Sequence, residues 1–383
     1  MELGIISIVL PNPEILQPLW GFRINFMQVG IIGLPNVGKS TLFKALTKKQ
    51  VDASNYPFCT IDPNVGVVEV PDLRLEKIFQ ITKSERKIPT VIEFVDIAGL
   101  VKNAHQGEGL GNQFLSHIRE VDALVEVVRD FEDKNVVHVE GEVNPQRDQD
   151  IIMLELIMAD LGTVEKRLEK TKKQVKAQDK QAIKVLKILE SLKDVLSKGK
   201  PAAEIEFNEE EKLLIKDLNL LTLKPLIYVL NIDNRRQTTD DKKQTTGDEE
   251  QYLEINAKLE SELADLSPQE TEEYLIELGI QRTGLDKLIL ESYKVLNLIT
   301  FFTSGLKETR AWTIKKETKA PAAAGKIHTD FEKGFIKAEV IGFQDFISSE
   351  GELKAKEKGL MRIEGKDYIV KDGDVIYFKV NPT

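Results

Sequence analysis

The residues best suited to chemistry lie in the stretch Gly33-Leu-Pro-Asn-Val-Gly-Lys-Ser40. Its glycines allow a tight turn whose successive N–H groups point inward at an anion, and the N-terminus of a following helix adds its positive end. Lys39 is expected to reach the β- and γ-phosphates of a nucleotide, and the Ser40 hydroxyl is expected to hold Mg²⁺. The pattern GxxxxGKS, between a strand and a helix, therefore predicts a site for a nucleoside triphosphate.

Two further segments are candidates to complete this site. Asp96-Ile-Ala-Gly99 ends a predicted strand, an arrangement in which the Asp96 carboxylate enters the Mg²⁺ shell and the Gly99 N–H meets the γ-phosphate. Thr60 lies in an irregular segment punctuated by prolines, where its hydroxyl could reach the same metal ion. The alternative for Thr60 is an ordinary solvated threonine, because threonine is common in loops.

A third segment bears on which base is bound. Proteins that select guanine end a strand in Asn/Thr-Lys-x-Asp, whereas here Asn231 is followed by Ile232, and Asn234 stands in the place of the aspartate. Without that carboxylate, the guanine N–H groups would be buried without an acceptor, which costs free energy. An amide can pair with adenine, because it offers both a donor and an acceptor. ATP is the predicted substrate, and a GTPase is the alternative.

Hydrolysis needs a group that orients the attacking water, and Leu100 stands where a glutamine often does this. Turnover is therefore expected to be slow, unless another side chain positions the water. His105 and His138 are candidates, because an imidazole can bond a water near neutral pH. The alternative for each, which the residues by themselves favour, is an ordinary loop histidine.

The apolar patterns predict the elements that position these residues. The predicted strands are Val29–Ile32, Val65–Val70, Thr90–Val95, Ala123–Val128 and Pro225–Leu230, and the predicted helices are Leu73–Ile81, Glu254–Leu263, Gln269–Leu278 and one that begins at Thr41. A charged, helical stretch within residues 148–200 predicts an inserted antiparallel hairpin. Its lysines could face RNA or form a solvated surface balanced by acids: 166, 170, 172, 173, 176, 180, 184 and 187.

A second, smaller unit begins near Asn297. The strand-like segments there are Phe301–Phe302, Ala311–Ile314, Ile336–Ile341, Tyr368–Val370 and Val375–Phe378, with short helical pieces at Asp345–Ile347 and Glu352–Lys358. Mixed strands around a helix predict a small α+β domain with a curled sheet. The predicted domains are thus an extension over residues 1–26, a nucleotide domain over 27–280 with the insertion 148–200, and a C-terminal domain over 297–380.

Composition narrows the class of protein. The chain has 383 residues, and its hydrophobic fraction of 41% is typical of a globular protein. Its net charge of −10 argues against nonspecific adhesion to nucleic acid. Cys59 is its single cysteine, so no internal disulfide can form, which fits a reducing cytoplasm. No stretch is long and apolar enough to span a bilayer. Residues 1–26 carry several prolines and are expected to be an upstream extension, with Met27 opening the folded domain.

The motifs together resemble the Obg-like ATPase, or YchF, family. The matching segments are Gly33–Thr41, Asn55–Pro63, Asp96–Lys102, Gly107–Asn112, Arg310–Ile314, Ala323–Phe335 and Gly365–Asp374. The resemblance implies an α/β P-loop NTPase fold of the translation-factor class, an inserted coiled-coil pair and a C-terminal TGS domain of β-grasp form. It also implies ATP preferred over GTP, a hydrophobic residue in place of the catalytic glutamine, and binding to ribosomes, particularly the large subunit.

Carried over residue by residue, the resemblance places the nucleotide against Asn36, Val37, Gly38, Lys39, Ser40 and Thr41. It assigns Mg²⁺ to Ser40 and Thr60, the adenine border to Asn231 and Ile232, and assistance of hydrolysis to His138. The family normally has Glu where this chain has Asn234, which leaves the strictness of the adenine preference open.

The sequence therefore predicts a cytoplasmic, Mg²⁺-dependent ATPase that binds the ribosome, through protein and rRNA surfaces, according to its nucleotide state. Neither a membrane nor DNA is an expected partner. The alternatives are a GTPase and a nucleotide-gated binding module with negligible turnover.

Overall fold

The computed structural model describes residues 26–49, 63–97, 112–133, 142–175, 180–233, 252–277 and 279–381. Several predictions fall outside these ranges, namely those for residues 1–25, Thr60, Gly99, Leu100, His105, His138 and Asn234.

The strands in chain order are β1 (Gln28–Ile32), β2 (Val65–Glu69), β3 (Arg86–Ile88), β4 (Val91–Asp96), β5 (Ala123–Asp130), β6 (Leu226–Ile232), β7 (Leu253–Ile255), β8 (Leu298–Ser304), β9 (Glu308–Lys315), β10 (Phe335–Ile341), β11 (Arg362–Glu364) and β12 (Val375–Val380). The helices are α1 (Lys39–Lys48), α2 (Leu73–Thr82), α3 (Asn112–Glu120), α4 (Pro145–Val175), α5 (Lys180–Ser197), α6 (Glu209–Ile215), α7 (Ala257–Leu263), α8 (Pro268–Glu277), α9 (Gly284–Val295), α10 (Ala320–Ile327), α11 (Thr329–Lys333), α12 (Phe343–Ser348) and α13 (Glu352–Glu357).

The first sheet carries the predicted nucleotide site. Its strands within the described residues follow the order β2-β4-β1-β5-β6-β7, and all pairs are parallel except β2 with β4. The central strands are continuous apolar runs because helices cover both faces. Helices α1 and α9 pack on one face, whereas α3 and α4 pack on the other. This arrangement confirms the predicted α/β sheet flanked by helices.

The predicted helix Glu254–Leu263 is wrong in its first turn. Residues Leu253–Ile255 form β7, which pairs with β6 at the edge of the sheet, and α7 begins only at Ala257. Asn256 separates the two elements, because its side chain accepts a hydrogen bond from the Leu259 N–H (3.0 Å) and so caps the helix. Pairing with β6 is a tertiary contact that overrides the local helical pattern.

The inserted helical hairpin is confirmed. Helices α4 and α5 pack along a shared apolar core that includes Val164, Leu168, Leu189 and Leu192. The short connection between them makes the pair antiparallel. Part of its lysine surface is balanced by acids, since Lys184 pairs with Glu210.

The C-terminal strands form a second sheet in the order β11-β10-β12-β8-β9, with β12 parallel to β8. One face of this sheet packs on α10 through Ala320, Ala323 and Ala324, which is the arrangement of a β-grasp domain. The predicted strand Tyr368–Val370 is wrong: Ile369 makes only an isolated bridge to Lys319. The Tyr368 hydroxyl instead donates to Asp374 (2.7 Å), which holds this segment as a loop.

A segment that connects two strands of the first sheet adds a strand to the second sheet. Strand β3 comes from the connection between β2 and β4, yet it extends the C-terminal sheet by pairing with β9. Helix α9 lies in the stretch 281–296 that the sequence left unassigned, and it packs on the first sheet. The domain limits 27–280 and 297–380 therefore stay a proposal. Within the described residues, none of the helices combines the length and apolar character needed to cross a bilayer.

Candidate nucleotide site

The loop between β1 and α1 has the backbone of an anion cradle. Gly33, Asn36 and Gly38 all have positive φ, at 142°, 64° and 103° respectively. A Cβ atom on Gly33 would lie 2.4 Å from the Val127 carbonyl oxygen, so a side chain cannot be accommodated there. This reversal of the backbone, which glycine allows at little cost, turns the loop into the start of α1.

Helix α1 begins directly behind the loop. Leu42 donates the first intrahelical hydrogen bond to the Gly38 carbonyl (3.0 Å), and the first turn contains no acidic residue. The N–H groups of Lys39, Ser40 and Thr41 thus have no acceptor within the helix, and they lie at its positive end. Ser40 and Thr41 are exposed, as is Asn36, whereas Val37 is buried.

Lys39 supplies the charge of the cradle. The residue is only 7% exposed, and its ammonium group donates to the Leu34 carbonyl (2.5 Å), which folds the side chain back over the loop. Burial lowers the pKa of Lys39 from 10.5 to about 8, because the charged form loses water, while the negative charge of Asp96 opposes this shift. A phosphate would supply the negative charge that this buried ammonium lacks.

Asp96 lies at the end of β4, beside the strand that leads into the loop. It is in register with Ile31 of β1, it is buried, and its N–H donates to the Asn64 carbonyl (2.9 Å). Parallel strands bring their carboxyl ends to one edge of the sheet, which is where ligands bind in open α/β folds. The structure thus brings Asp96 near Lys39, while their predicted roles toward Mg²⁺ and phosphate stay predictions.

Asn231, in β6, connects the loop to the first residue of α7. Its Nδ2 donates to the Val37 carbonyl (2.9 Å), and its Oδ1 accepts from the Ala257 N–H (3.0 Å). The side chain is buried and lies directly over Gly38, where a Cβ atom would approach Nδ2 to 2.2 Å. Asn231 therefore holds the cradle in place, while its predicted contact with adenine, and that of the buried Ile232, stay predictions.

Ala257 and Asn256 were not identified from the sequence as part of this region. The apolar pattern that predicts a helix from Glu254 continues across them, although an asparagine before a helical run is a typical N-cap signal. The predictions for Thr60, Gly99 and His138 lie outside the described residues.

The residues present fit a magnesium ion. The Ser40 hydroxyl and the Asp96 carboxylate are hard oxygen donors, and Mg²⁺ usually takes one or two protein ligands and completes its shell with water and phosphate oxygens. No group of three His, Cys, Asp or Glu side chains that could bind a metal alone is found in the described part of the chain. A site that forms together with the nucleotide needs no such group.

A glycine loop between a strand and a helix, with a buried lysine facing an aspartate on the adjacent strand, defines a P-loop nucleoside triphosphatase of the GTPase class. The family described as 50S ribosome-binding GTPase matches residues 28–156. The YchF GTPase C-terminal family, described as a protein of unknown function, matches residues 298–381.

Whole-chain relatives define the family more narrowly. The chain is 50% identical over 363 residues to the ribosome-binding ATPase YchF of Bacillus subtilis, covering 93% of this chain and 99% of that one. It is 44% identical to the ribosome-binding ATPase YchF of Mycoplasma genitalium, covering 93% and 100%. The solved structure of the Schizosaccharomyces pombe YchF GTPase is similar with a TM-score of 0.82 and 38% identity, over 94% of this chain and 99% of that one. The chain belongs to the YchF family.

Proposed function

We propose that this chain is a slow, Mg²⁺-dependent ATPase that binds the ribosome in a nucleotide-dependent way in the cytoplasm. The observation that carries the ATPase proposal is the buried Lys39 ammonium, which bonds the Leu34 carbonyl of the loop and lies near the negative charge of Asp96. The relatives named as ribosome-binding ATPases, at up to 50% identity, support both the substrate and the partner.

In this proposal the loop binds the triphosphate and stabilises the charge that develops during transfer. The N–H groups at the start of α1 and the Lys39 ammonium donate to phosphate oxygens, and they are already oriented before the nucleotide arrives. Mg²⁺, held by Ser40, Asp96 and Thr60, would neutralise phosphate charge. Gly99 would donate to the γ-phosphate, and His138 would orient the attacking water, because Leu100 cannot do so.

GTP hydrolysis is the second candidate, and specific observations favour it. The family that matches residues 28–156 is described as a GTPase, and so is the fission-yeast structure. Against this, the chain has no carboxylate at Asn234 to accept from guanine. A competition titration of ATP against GTP decides between them: we expect ATP to bind more tightly, and equal or tighter binding of GTP would favour the GTPase.

Phosphate release tests the enzyme itself. We expect release from ATP, stimulated by ribosomes, and a loss of at least about a hundredfold in Lys39→Ala, because a preorganised donor contributes several kcal/mol to the transition state. Lys44→Ala is the matched control, since Lys44 is exposed on the same helix. Release from the wild type that does not exceed that of Lys39→Ala would leave only a nucleotide-gated binding module.

The ribosomal contact is proposed on the large subunit, through protein and rRNA surfaces. The hairpin lysines Lys166, Lys170 and Lys173 are exposed, and they lie on one face of α4 because they are separated by four and three residues. Sedimentation with isolated subunits, with and without ATP, tests this. Sedimentation of the protein with the small subunit alone, or an equal amount bound with and without ATP, would contradict the proposal.

A further inference from the structure

The connection between β2 and β4, residues 70–90, packs into the C-terminal unit, defined here as residues 298–381. Strand β3 pairs in parallel with β9, from Arg86 beside Glu308 to Ile88 beside Arg310. The backbone contact continues before the strand, where the Glu85 N–H donates to the Leu306 carbonyl (3.1 Å). The nucleotide domain therefore contributes a strand to the C-terminal sheet.

Helix α2, in the same connection, covers the face of that sheet opposite α10. Leu75 and Ile78 are buried in one apolar cluster with Phe302, Ile341 and Phe346 of the C-terminal unit. Close-packed apolar contacts transmit displacement, because such interfaces have discrete arrangements and deform little.

A charged clamp holds the start of α2 to the C-terminal unit. The Arg74 guanidinium donates to both carboxylate oxygens of Asp372 (2.7 and 3.2 Å) and is also held by Asp72. Asp372 in turn accepts from the Thr300 N–H (2.9 Å) in β8. Two parallel bonds fix the orientation of this pair as well as its distance.

Hydroxyl groups close the interface at the other end of α2. Ser84 donates to the Gly305 carbonyl (2.6 Å), and its hydroxyl also bonds that of Thr309 (2.7 Å). Thr90, just before β4, bonds the Thr313 hydroxyl, which accepts in turn from Tyr293. The contacts thus extend along the connection as far as Thr90, the residue before β4.

At the opposite end of β4 lies Asp96. Strands β2 and β4 form an antiparallel ribbon from Val65 with Val95 to Glu69 with Val91, and the Asp96 N–H closes the ribbon on Asn64. One short ribbon therefore has the nucleotide site at one end and the C-terminal unit at the other. Six residues of strand span about 20 Å, a short distance for a stiff element.

We propose that β2, β4 and the C-terminal unit move as one body, so that the nucleotide at Lys39 and Asp96 sets the position of the C-terminal unit. This inference rests on the proposed nucleotide binding. Because coupling between two sites is reciprocal, a partner that holds the C-terminal unit changes nucleotide affinity by the factor with which the nucleotide changes the partner's binding.

Hydrogen exchange of the full chain, with and without ATP and Mg²⁺, tests the proposal. In the wild type we expect ATP to slow exchange at residues 33–46 and to change exchange in β8 and β9 by about twofold or more. In the variant Arg74→Ala/Ser84→Ala, protection at 33–46 should remain while the response in β8 and β9 is reduced. Lys319→Ala is the control, because its ion pair with Asp367 lies within the C-terminal unit.

The outcomes separate the two proposals. Protection at 33–46 without any response in β8 and β9 of the wild type overturns the coupling and leaves nucleotide binding intact. A response in β8 and β9 that is unchanged in the double variant also overturns the proposed route. Absence of protection at 33–46 overturns the proposed nucleotide binding and the coupling with it. If the double variant does not fold, the wild-type result alone decides.

Discussion

Lys39 shows how a single side chain is made into an anion receptor. Its ammonium is buried away from water, and it contacts the Leu34 carbonyl and lies near the negative charge of Asp96. Because these do not fully replace the lost hydration, the pKa of Lys39 falls to about 8. A bound phosphate would reverse that shift, because an opposite charge favours the protonated form. Nucleotide binding and protonation of Lys39 are therefore linked.

We expect nucleotide binding to take up a proton above pH 8. At pH 8 to 9 a substantial part of the free protein has Lys39 deprotonated, whereas the complex holds it protonated, so affinity should fall as pH rises through this range. Calorimetry in buffers of different ionisation enthalpy measures the uptake. Proton uptake that is the same in Lys39→Ala would assign it to another group.

The free protein should show the opposite trend in stability. The folded-state pKa of Lys39, about 8, lies below its usual value of 10.5, so between these values the unfolded chain binds more protons than the folded one. The contribution of this residue to the free energy of unfolding therefore rises with pH across that window. Denaturant titrations of the wild type and of Lys39→Met at pH 7.5 and 9.5 measure this contribution, because the rise with pH that Lys39 causes should be missing from the variant.

Asn231 acts on the backbone of the cradle. Asn231→Ala removes the bonds to the Val37 carbonyl and the Ala257 N–H, both buried, and should lower the free energy of unfolding by about 2–3 kcal/mol and weaken nucleotide binding. Asn208→Ala is the matched control, because Asn208 caps α6, which packs against the hairpin, and its loss should cost only about 1 kcal/mol without changing nucleotide affinity. Unchanged nucleotide binding in Asn231→Ala would mean that the cradle keeps its shape unaided.

At the scale of elements, a buried carboxylate adds to the apolar contacts that fix the helical hairpin to the sheet. Asp160 of α4 accepts from the N–H groups of Leu221 and Thr222 (2.9 and 2.8 Å) and from the Thr222 hydroxyl, just before β6. Burial raises the pKa of Asp160, and these hydrogen bonds oppose the rise. The anchor joins the base of the hairpin to the strand that carries Asn231.

Asp160→Ala should lower the free energy of unfolding by about 2–4 kcal/mol, because two buried N–H groups lose their acceptor. Asp217→Ala, which removes an exposed partner of Arg167, should cost no more than about 1 kcal/mol. Urea titrations compare the two variants. Equal losses would show that Asp160 contributes no more than a surface ion pair.

For the whole molecule, the shared connection makes the two sheets depend on each other. Ile78 of α2 is fully buried among side chains of the C-terminal unit, although the helix follows a strand of the nucleotide domain. We therefore expect the two parts to unfold together in one cooperative transition.

Ile78→Ala should lower the free energy of unfolding by about 2–4 kcal/mol, as large-to-small changes in a core do, while Lys77→Ala on the exposed side of α2 should change it little. With Trp20 replaced by phenylalanine in every variant, Trp312 is the single tryptophan and its fluorescence reports on the C-terminal sheet, whereas circular dichroism reports on all the helices. The two signals should change at the same denaturant concentration in both variants. Separate midpoints in the wild type would mean that the parts unfold independently.

The sequence by itself determined the parts whose physics is local. The cradle follows from glycine at two positions and a helix directly after them, and the hairpin follows from apolar residues at helical spacing along α4 and α5. In each case the residues that interact are neighbours in the chain, so their types and spacing carry the information.

Only the tertiary structure decided which segments complete the two sheets. Strands β3 and β7 have three residues each, too few for a periodic pattern, and each exists because a partner strand distant in sequence accepts its hydrogen bonds. The role of Asn231 was decided in the same way, since both of its partners are remote in sequence: the Val37 carbonyl and the Ala257 N–H. Contacts of this kind depend on how the chain returns to itself, which local pattern does not encode.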